Sequence, residues 1–370
     1  MIEDLMTTFQ PGPDDIAIVG FCQAPGVRQT PGTTNGTEML VPIFQQLYAD
    51  LGITRSDIDF WCSGSSDYLS GRAFSFISSV DAIGAVPPID ESHVEMDAAW
   101  AMYEAYVKLL TGEAETALVY GFGKSSAGNL RKTLALQTDP YVVAPLWPDS
   151  VSMAGLQARL GIDAGLWDEK DMAEVSRRSR TDALSNPGAQ LAGSVSVDEL
   201  LAQPMIADPL RKHDCAPITD GAAAVILARG PRAYELCERP AWITGFDHRI
   251  DSAELGGRDL TTAPSATIAA ERATGGSLDG ITVAELHAPF THQELILRAA
   301  MGLDGAAGDA IVINPSGGAL SGNPMFAAGL ERIGRAATRV MEGTDRRALA
   351  HATSGPLLQQ NLVCVLEGRN

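Results

Sequence analysis

The chain lacks several things, and each absence removes a class of function. It holds no run of about eighteen apolar residues, so no transmembrane helix is expected. Its opening stretch, MIEDLMTTFQPGPDDIAIVG, has no basic segment ahead of an apolar one. No secretory signal is therefore expected, and the cytoplasm is the expected compartment. Positive charge is scarce: 27 Lys and Arg stand against 46 Asp and Glu, a net charge of -19. Such a field repels phosphate backbones and anionic lipid, which argues against a nucleic-acid or membrane partner. A small anionic ligand can still bind through local Arg and Lys. The five cysteines, Cys22, Cys62, Cys215, Cys237 and Cys364, form no C-x-x-C pair and have no His in ligand spacing. They read as reduced, mostly buried thiols, with neither a disulfide frame nor a metal site expected.

What is present is a chain of 370 residues, 45% of them hydrophobic, enough for a sizeable core built as two domains or one large duplicated one. Apolar, β-branched runs bounded by turn residues alternate with helical patterns, the signature of an α/β protein with a largely buried sheet. In the first half, strands are expected at Ile16–Val19, Ile58–Cys62, His93–Met96 and Ala117–Tyr120, with helices over Gly36–Leu51, Ala73–Ile83 and Ala98–Leu110. From residue 125 to 204 the pattern loosens into an inserted, mostly helical lid, with helices at Ala154–Leu160 and near Trp167–Arg180. A turn at Asp214–Asp220 then feeds an apolar strand. The second half repeats the grammar of the first: strands Ala241–Gly245, Thr282–His287 and Ile311–Asn314, helices Gln293–Met301 and Met325–Arg339, and an edge hairpin from Arg347–Ser354 and Gln360–Leu366. Residues 1–124 with 205–232 make one half and 233–370 the other. The duplication rests on element order, since no sequence repeat joins the halves.

One segment, HVEMDAAWAMYEAYVKLLTG, runs from a strand end straight into a helix. Ala98, Ala99, Met102, Tyr106 and Leu109 recur at helical spacing, and Gly112 stands where the helix stops. Such an elbow is a natural seat for a nucleophile, yet it carries Asp97 and Ala98.

Four motifs in order give the chain a resemblance to the thiolase superfamily, in its sterol carrier protein X and bacterial lipid-transfer-protein branch. LVYGFGKS (118–125) resembles the family's LALGFEKM, DCAPITDGAAAVILA (214–228) its DCCPVTDGAAAVVLA, ELHAPF (285–290) its EVHDCF, and INPSGGALSGNP (313–324) its VNPSGGLLSKGHP. The resemblance spans essentially the whole chain. It implies two duplicated βαβαβαββ halves in a five-layered αβαβα core. It also implies a first-half elbow holding a cysteine whose thiolate the helix N-terminus favours, activated by the GHP histidine and aided by a second cysteine in a C-x-G loop. Matching VEMDAAWA to the family's VEAACASG puts Ala98 at the nucleophile; Asn323 corresponds to the GHP histidine and Thr353 to the second cysteine. Claisen chemistry through an acyl-enzyme is then excluded.

The branch is known for retro-aldol cleavage of β-hydroxyacyl-CoA on steroid side chains, which requires no covalent nucleophile. The resemblance therefore implies an aldolase, with acyl-CoA as substrate and no further cofactor. It implies a homodimer or heterodimer with a thiolase-like chain, and a small OB-fold partner. The implied roles are His287 on the thioester oxygen, Asn323 as a neutral donor beside it, and a proton carrier among Asp97, His292, Thr353 and Ser354. Ser316, Gly317 and Gly318 would form a backbone turn close to the ligand.

Plainer readings stand beside these. His287 reads equally as a core histidine bonded to backbone, Asp97 as a helix N-cap, Asn323 as a turn residue before Pro324, and Ser316–Gly318 as a structural turn. Trp61–Asp67 reads as pocket wall or surface loop, and His248 as exposed in a turn. Aldolase relatives are thought to use tyrosine hydroxyls, but Tyr68, Tyr103 and Tyr120 are better explained by packing. A different class of function is a non-catalytic subunit that shapes an active homologous partner.

Overall fold

The computed structural model describes residues 10–32, 34–70, 74–305, 308 and 310–369. Its strands, in chain order, are β1 (Ile16–Gln23), β2 (Phe60–Gly64), β3 (Asp90–Val94), β4 (Thr116–Lys124), β5 (Met205–Ala207), β6 (Leu210–Arg211), β7 (Asp220–Arg229), β8 (Ala241–Ile250), β9 (Ile281–Leu286), β10 (Val312–Ile313), β11 (Arg347–Ser354) and β12 (Gln360–Gly368). The small β5–β6 hairpin stands apart. The other ten form one sheet in the order β10-β9-β11-β12-β8-β1-β7-β4-β2-β3.

Read outward from its centre, that order is one topology written twice. β1, β7, β4, β2 and β3 correspond to β8, β12, β11, β9 and β10. The hydrogen bonding agrees pair by pair. β1–β7 and β8–β12 are antiparallel, as are β4–β7 and β11–β12, while β2–β4, β2–β3, β9–β11 and β9–β10 are parallel. Within the sheet the halves are joined by the β1–β8 ladder, which pairs Ala17 with Trp242 and Ile18 with Ala241.

Layering follows from the burial pattern. Helices Ala98–Leu110 and Ala328–Met341 lie between the halves and share one core with the inner faces of both, through Met102, Leu109, Val119, Leu330, Ile333 and Leu362. Helix Gly36–Leu51 covers the outer face of the first half with Leu40, Phe44 and Leu47. Helices Pro264–Thr274 and Thr291–Ala300 cover the outer face of the second. The result is the five-layered α/β arrangement. Between β4 and β5 come helices Leu130–Leu136, Ser150–Asp163, Glu169–Asp182 and Val197–Leu201. The third is pinned to the second half by the Arg178–Glu294 ion pair and by the Ser179 hydroxyl on the Gly317 carbonyl. Among the described residues, no helix is long and apolar enough to cross a membrane.

Three expectations are corrected. The β11–β12 hairpin is internal, flanked by β9 and β8, and its near-continuous burial fits a strand pair covered on both faces rather than an edge. His248 lies on β8, half-buried, with its ring edge-on to Tyr103 at 4.8 Å. Trp61 to Ser66 are buried, so this stretch is not a surface loop. The helix expected over 73–83 is described from Ile77, Ala73 lying outside the described residues.

Candidate functional site

The first-half elbow is closed. Asp97 is 4% exposed and caps the helix that follows it, Oδ1 accepting from the Ala99 N–H at 2.9 Å. The same carboxylate accepts from the N–H groups of Gly329 at 3.0 Å and Leu330 at 3.2 Å, which open the other central helix. That helix begins at Ala328 behind Ala327, a residue with no capping side chain, so Asp97 serves both helix starts. Glycine is needed at 329, because a Cβ there would stand 2.6 Å from the Asp97 oxygen. Burial raises the Asp97 pKa, with the three N–H groups and Arg332 pulling against it.

Ala98 is fully buried, and its N–H donates to the Phe326 carbonyl at 2.9 Å. Phe326 adopts a left-handed φ of 67°, a conformation unusual for a bulky residue. The Trp100 N–H goes to the Asp97 carbonyl at 2.9 Å. The N–H groups of Ala98, Ala99 and Trp100 are thus spent within the protein. Across the elbow, Gly121 admits this packing, since a Cβ on it would meet the Phe326 carbonyl oxygen at 2.3 Å.

The second-half floor is different. His287 follows β9, Asn323 ends the loop after β10, and Thr353 and Ser354 close β11. His287 Nδ1 lies 3.4 Å from the Thr353 N–H and accepts from it, which leaves the proton on Nε2; Nε2 in turn lies 2.9 Å from Asn323 Oδ1 and donates to it. This fixes the Asn323 amide with Nδ2 turned from the ring, and Nδ2 donates to the Met325 sulfur at 4.0 Å. Burial, opposed by the Asn323 bond, pushes the His287 pKa down to about 4, so the ring is neutral at pH 7. The Thr353 hydroxyl donates to the Gln360 carbonyl at 3.0 Å.

These groups border a cavity of about 1400 Å³, roofed by residues of the inserted segment. Asp97, His287, Asn323, Thr353 and Ser354 line it, and its walls are largely apolar, with Leu130, Leu134, Val151, Met153, Leu200 and Leu357 among them. Asp97 reaches it with its oxygens already committed to the two helices. Ser316, Gly317, Gly318 and His292 are not among the lining residues. The Ser316 turn faces inward instead: its N–H and hydroxyl both bond buried Glu285, at 3.0 and 2.7 Å, and Arg332 donates to its hydroxyl at 2.6 Å. His292 is fully buried, with Nε2 3.1 Å from Gln157 Oε1 and its ring beside Trp167 and Phe290. The first turn of helix Thr291–Ala300 carries it into the outer core, and burial pushes its pKa down to about 3.

Sequence reasoning missed two cavity residues. His213, 5% exposed, has Nε2 3.6 Å from Asp214 Oδ1 and an Nδ1 that meets no protein partner. Burial is the main cause of its lowered pKa, with Asp214 opposing and Arg211 and Arg180 adding to it. It stands one residue ahead of the DCAPITDG motif, the only local signal that could have found it. Arg180 lay unremarked in the charged helix. Cys215 also lines the cavity, but burial and then the Asp214 charge push its thiol up to about 12, so it is protonated and a poor nucleophile. Among the described residues no tyrosine lines the cavity. Tyr103 packs on Phe246 and Tyr120 on Phe44, and the Tyr68 side chain lies outside the described residues. No group of three or more His, Cys, Asp or Glu among the described residues could hold a metal ion.

No protein-family model matches the chain. It is 27% identical to the acetyl-CoA acetyltransferase of Methanothermobacter thermautotrophicus, over 80% of this chain and 85% of that protein. It is 27% identical to benzoylsuccinyl-CoA thiolase subunit BbsB of Thauera aromatica, over 52% and 57%, and 26% identical to sterol carrier protein 2 of Homo sapiens, over 85% and 63%. It therefore spans less than two thirds of the latter two. In structure it is similar to the Ltp2-ChsH2(DUF35) aldolase, with a TM-score of 0.79 at 18% identity over 97% of this chain and 99% of that one. It is also similar to human mitochondrial 3-ketoacyl-CoA thiolase, with a TM-score of 0.75 at 15% identity over 96% and 99%. The fold is the thiolase fold, and the chain resembles the sterol-carrier and lipid-transfer branch of that superfamily.

Proposed function

We propose that the chain binds an acyl-CoA thioester in this cavity and cleaves a β-hydroxyacyl-CoA by retro-aldol chemistry, giving a ketone and a shorter acyl-CoA. The observation that carries the reading is the Asn323 amide, oriented by His287 and bordering a cavity beside an elbow that offers no thiol. Asn323 and Ala98 then occupy the places of the family's GHP histidine and nucleophilic cysteine. An amide N–H aimed at the thioester oxygen stabilises the enolate that forms there, because the donor is in place before the charge develops.

The steps balance without a covalent intermediate. His213, whose ring lines the cavity, takes the β-hydroxyl proton, and the Asp214 carboxylate 3.6 Å from Nε2 stabilises its cationic form. The Cα–Cβ bond breaks, its electrons pass into the thioester enolate under Asn323, and the hydroxyl carbon becomes a ketone. The imidazolium then returns its proton to Cα, releasing acyl-CoA. Thr353 and Ser354 border the reacting end. The size and apolar wall of the cavity suit a bulky acyl group, the steroid side chain that the resemblance implies among them. A second thiolase-like chain and a small OB-fold partner complete the proposed unit.

The test is mass spectrometry of β-hydroxyacyl-CoA panels with the purified chain, alone and with the proteins encoded beside it, comparing wild type, His287→Ala and His213→Ala. Ketone and short acyl-CoA appearing together, and lost in both variants, is the expected result. Cleavage that needs a partner and ignores both substitutions would make this chain a supporting subunit.

A further inference from the structure

Among the described residues, Arg180 is the one lining Arg or Lys that is not solvent-exposed: Arg28, Arg131 and Lys212 are exposed along the cavity wall, whereas Arg180 is half-buried. It forms no ion pair with any described acid, and its buried Nε has no protein acceptor. Its neighbours are otherwise. Arg178 holds Glu294 and Arg177 holds Glu174, so the helix pairs its other arginines and leaves this one to the cavity. Burial alone accounts for a lowered Arg180 pKa, with no carboxylate pulling it back. A guanidinium in that position costs free energy unless an anion completes it, and its planar fork matches a carboxylate in two-point contact.

Its place in the fold says which part of a ligand it meets. Ser179, next to it, is bonded to Gly317 on the loop that ends in Asn323, and the Arg180 carbonyl accepts from Gly193 at 2.9 Å. Arg180 lines the same cavity as His213, whose pKa its charge helps to lower, and Asp214 beside that histidine accepts from Thr291, four residues past His287. Arg180 therefore belongs with the floor groups, while the exposed cations are left for the phosphates of CoA.

We infer that Arg180 anchors a carboxylate-recognition subsite, so that the acyl group taken by this protein carries a free carboxylate in addition to its thioester. This rests on the acyl-CoA reading above and deepens it from a generic thioester to an anionic acyl chain with an apolar body. The guanidinium binds and orients that carboxylate and takes no part in bond breaking.

The experiment is calorimetric binding, which needs no turnover. The probes are free CoA, 3-hydroxyacyl-CoA thioesters over a series of chain lengths, and the ω-carboxylate thioesters of the same lengths. The wild-type protein is expected to bind one carboxylate chain length at least about tenfold tighter than its methyl-ended match, the scale of one charge-assisted contact. Arg180→Met should erase that preference and leave CoA and the methyl-ended thioesters within about twofold, and Arg180→Lys should restore part of it. No preference in the wild-type protein overturns the inference. So does a uniform loss across all probes in Arg180→Met, free CoA included, which would make Arg180 a phosphate contact. Binding of carboxylate thioesters without any cleavage would sustain this inference while the aldolase reading fails.

Discussion

At the start of the first central helix the N–H groups of Ala98, Ala99 and Trp100 are taken up inside the protein, whereas at the floor of the second half Asn323 borders the cavity with Met325 sulfur as its Nδ2 partner. The two places occupy one topology, since each half orders its strands in the same way. What separates them is how the hydrogen-bond donors are used. Asp97 and the Phe326 carbonyl convert the elbow into a joint between helices. His287 spends its single N–H on fixing another donor, Asn323, at the cavity border. One topology thus carries two different uses of its buried hydrogen-bond donors, a joint between helices in one half and a cavity floor in the other.

The widest test of that contrast is Asp97→Ala. Removing two buried caps at roughly 1–2 kcal/mol each should lower the unfolding free energy by about 2–4 kcal/mol in urea, with ligand affinity of the folded protein unchanged. Intact stability with lost turnover would return Asp97 to the chemistry. On the other side of the comparison, Asn323→Ala should leave stability nearly unchanged and reduce the rate of cleavage by about 100-fold, read from initial rates at saturating substrate. Ala98→Cys asks whether the elbow can be reopened. The new thiol meets a fully buried site whose adjoining Ala98, Ala99 and Trp100 N–H groups are already bonded, so no acyl adduct should form by mass spectrometry, and overpacking should cost about 1–2 kcal/mol. A stable thioester on residue 98 would show that the elbow is still competent.

The smallest expected effect is in pH. His287, His292 and His351 are held neutral, with pKa values pushed to about 4, 3 and 3 by burial. As pH falls through 6.5 the unfolded chain binds protons that the folded chain cannot, so the stability from these rings is full above 6.5 and declines progressively below it. Glu331 acts in the opposite sense. Burial raises it to about 7, so the folded chain holds more protons than the unfolded one between 4.5 and 7, and stability from this group declines as pH rises across that window. Asp97, raised by burial, acts in the same sense as Glu331, while His213 and His248, lowered by burial, join the other rings, so the histidines outnumber the carboxylates; melting temperature should fall from pH 6 to pH 4.5, and Glu331→Gln should steepen that fall by removing part of the opposing contribution.

Helix Ala98–Leu110 was legible to the residue because its signals are local: a capping Asp at one end, apolar positions at helical spacing, a glycine just past the other end. The fold class was legible through the order of four motifs. Of the candidate site residues, those that border the cavity lie in or beside the motifs. His287, Asn323, Thr353 and Ser354 border one cavity, whereas Ser316 and His292 turn inward because of partners distant in sequence, Glu285 with Arg332 and Gln157. No local pattern encodes those pairings. Nor does any encode the Phe326 carbonyl on Ala98, which joins residues more than two hundred positions apart, or an arginine that gains its meaning from the carboxylates its neighbours have and it lacks. The hairpin was misplaced for a related reason: a short polar turn reads the same at an edge and at the middle of a sheet.

One carboxylate holding the first turn of both central helices also bears on how the molecule comes apart. Either helix could fray from its N-terminal end in isolation only by stripping Asp97 from the other, and the strands that join the halves contribute just two residue pairs. Partial unfolding of one half therefore exposes the start of its counterpart. Amide exchange at Ala99 and at Gly329 and Leu330 should share a single opening event, making the two halves, for all their separate topology, one cooperative unit.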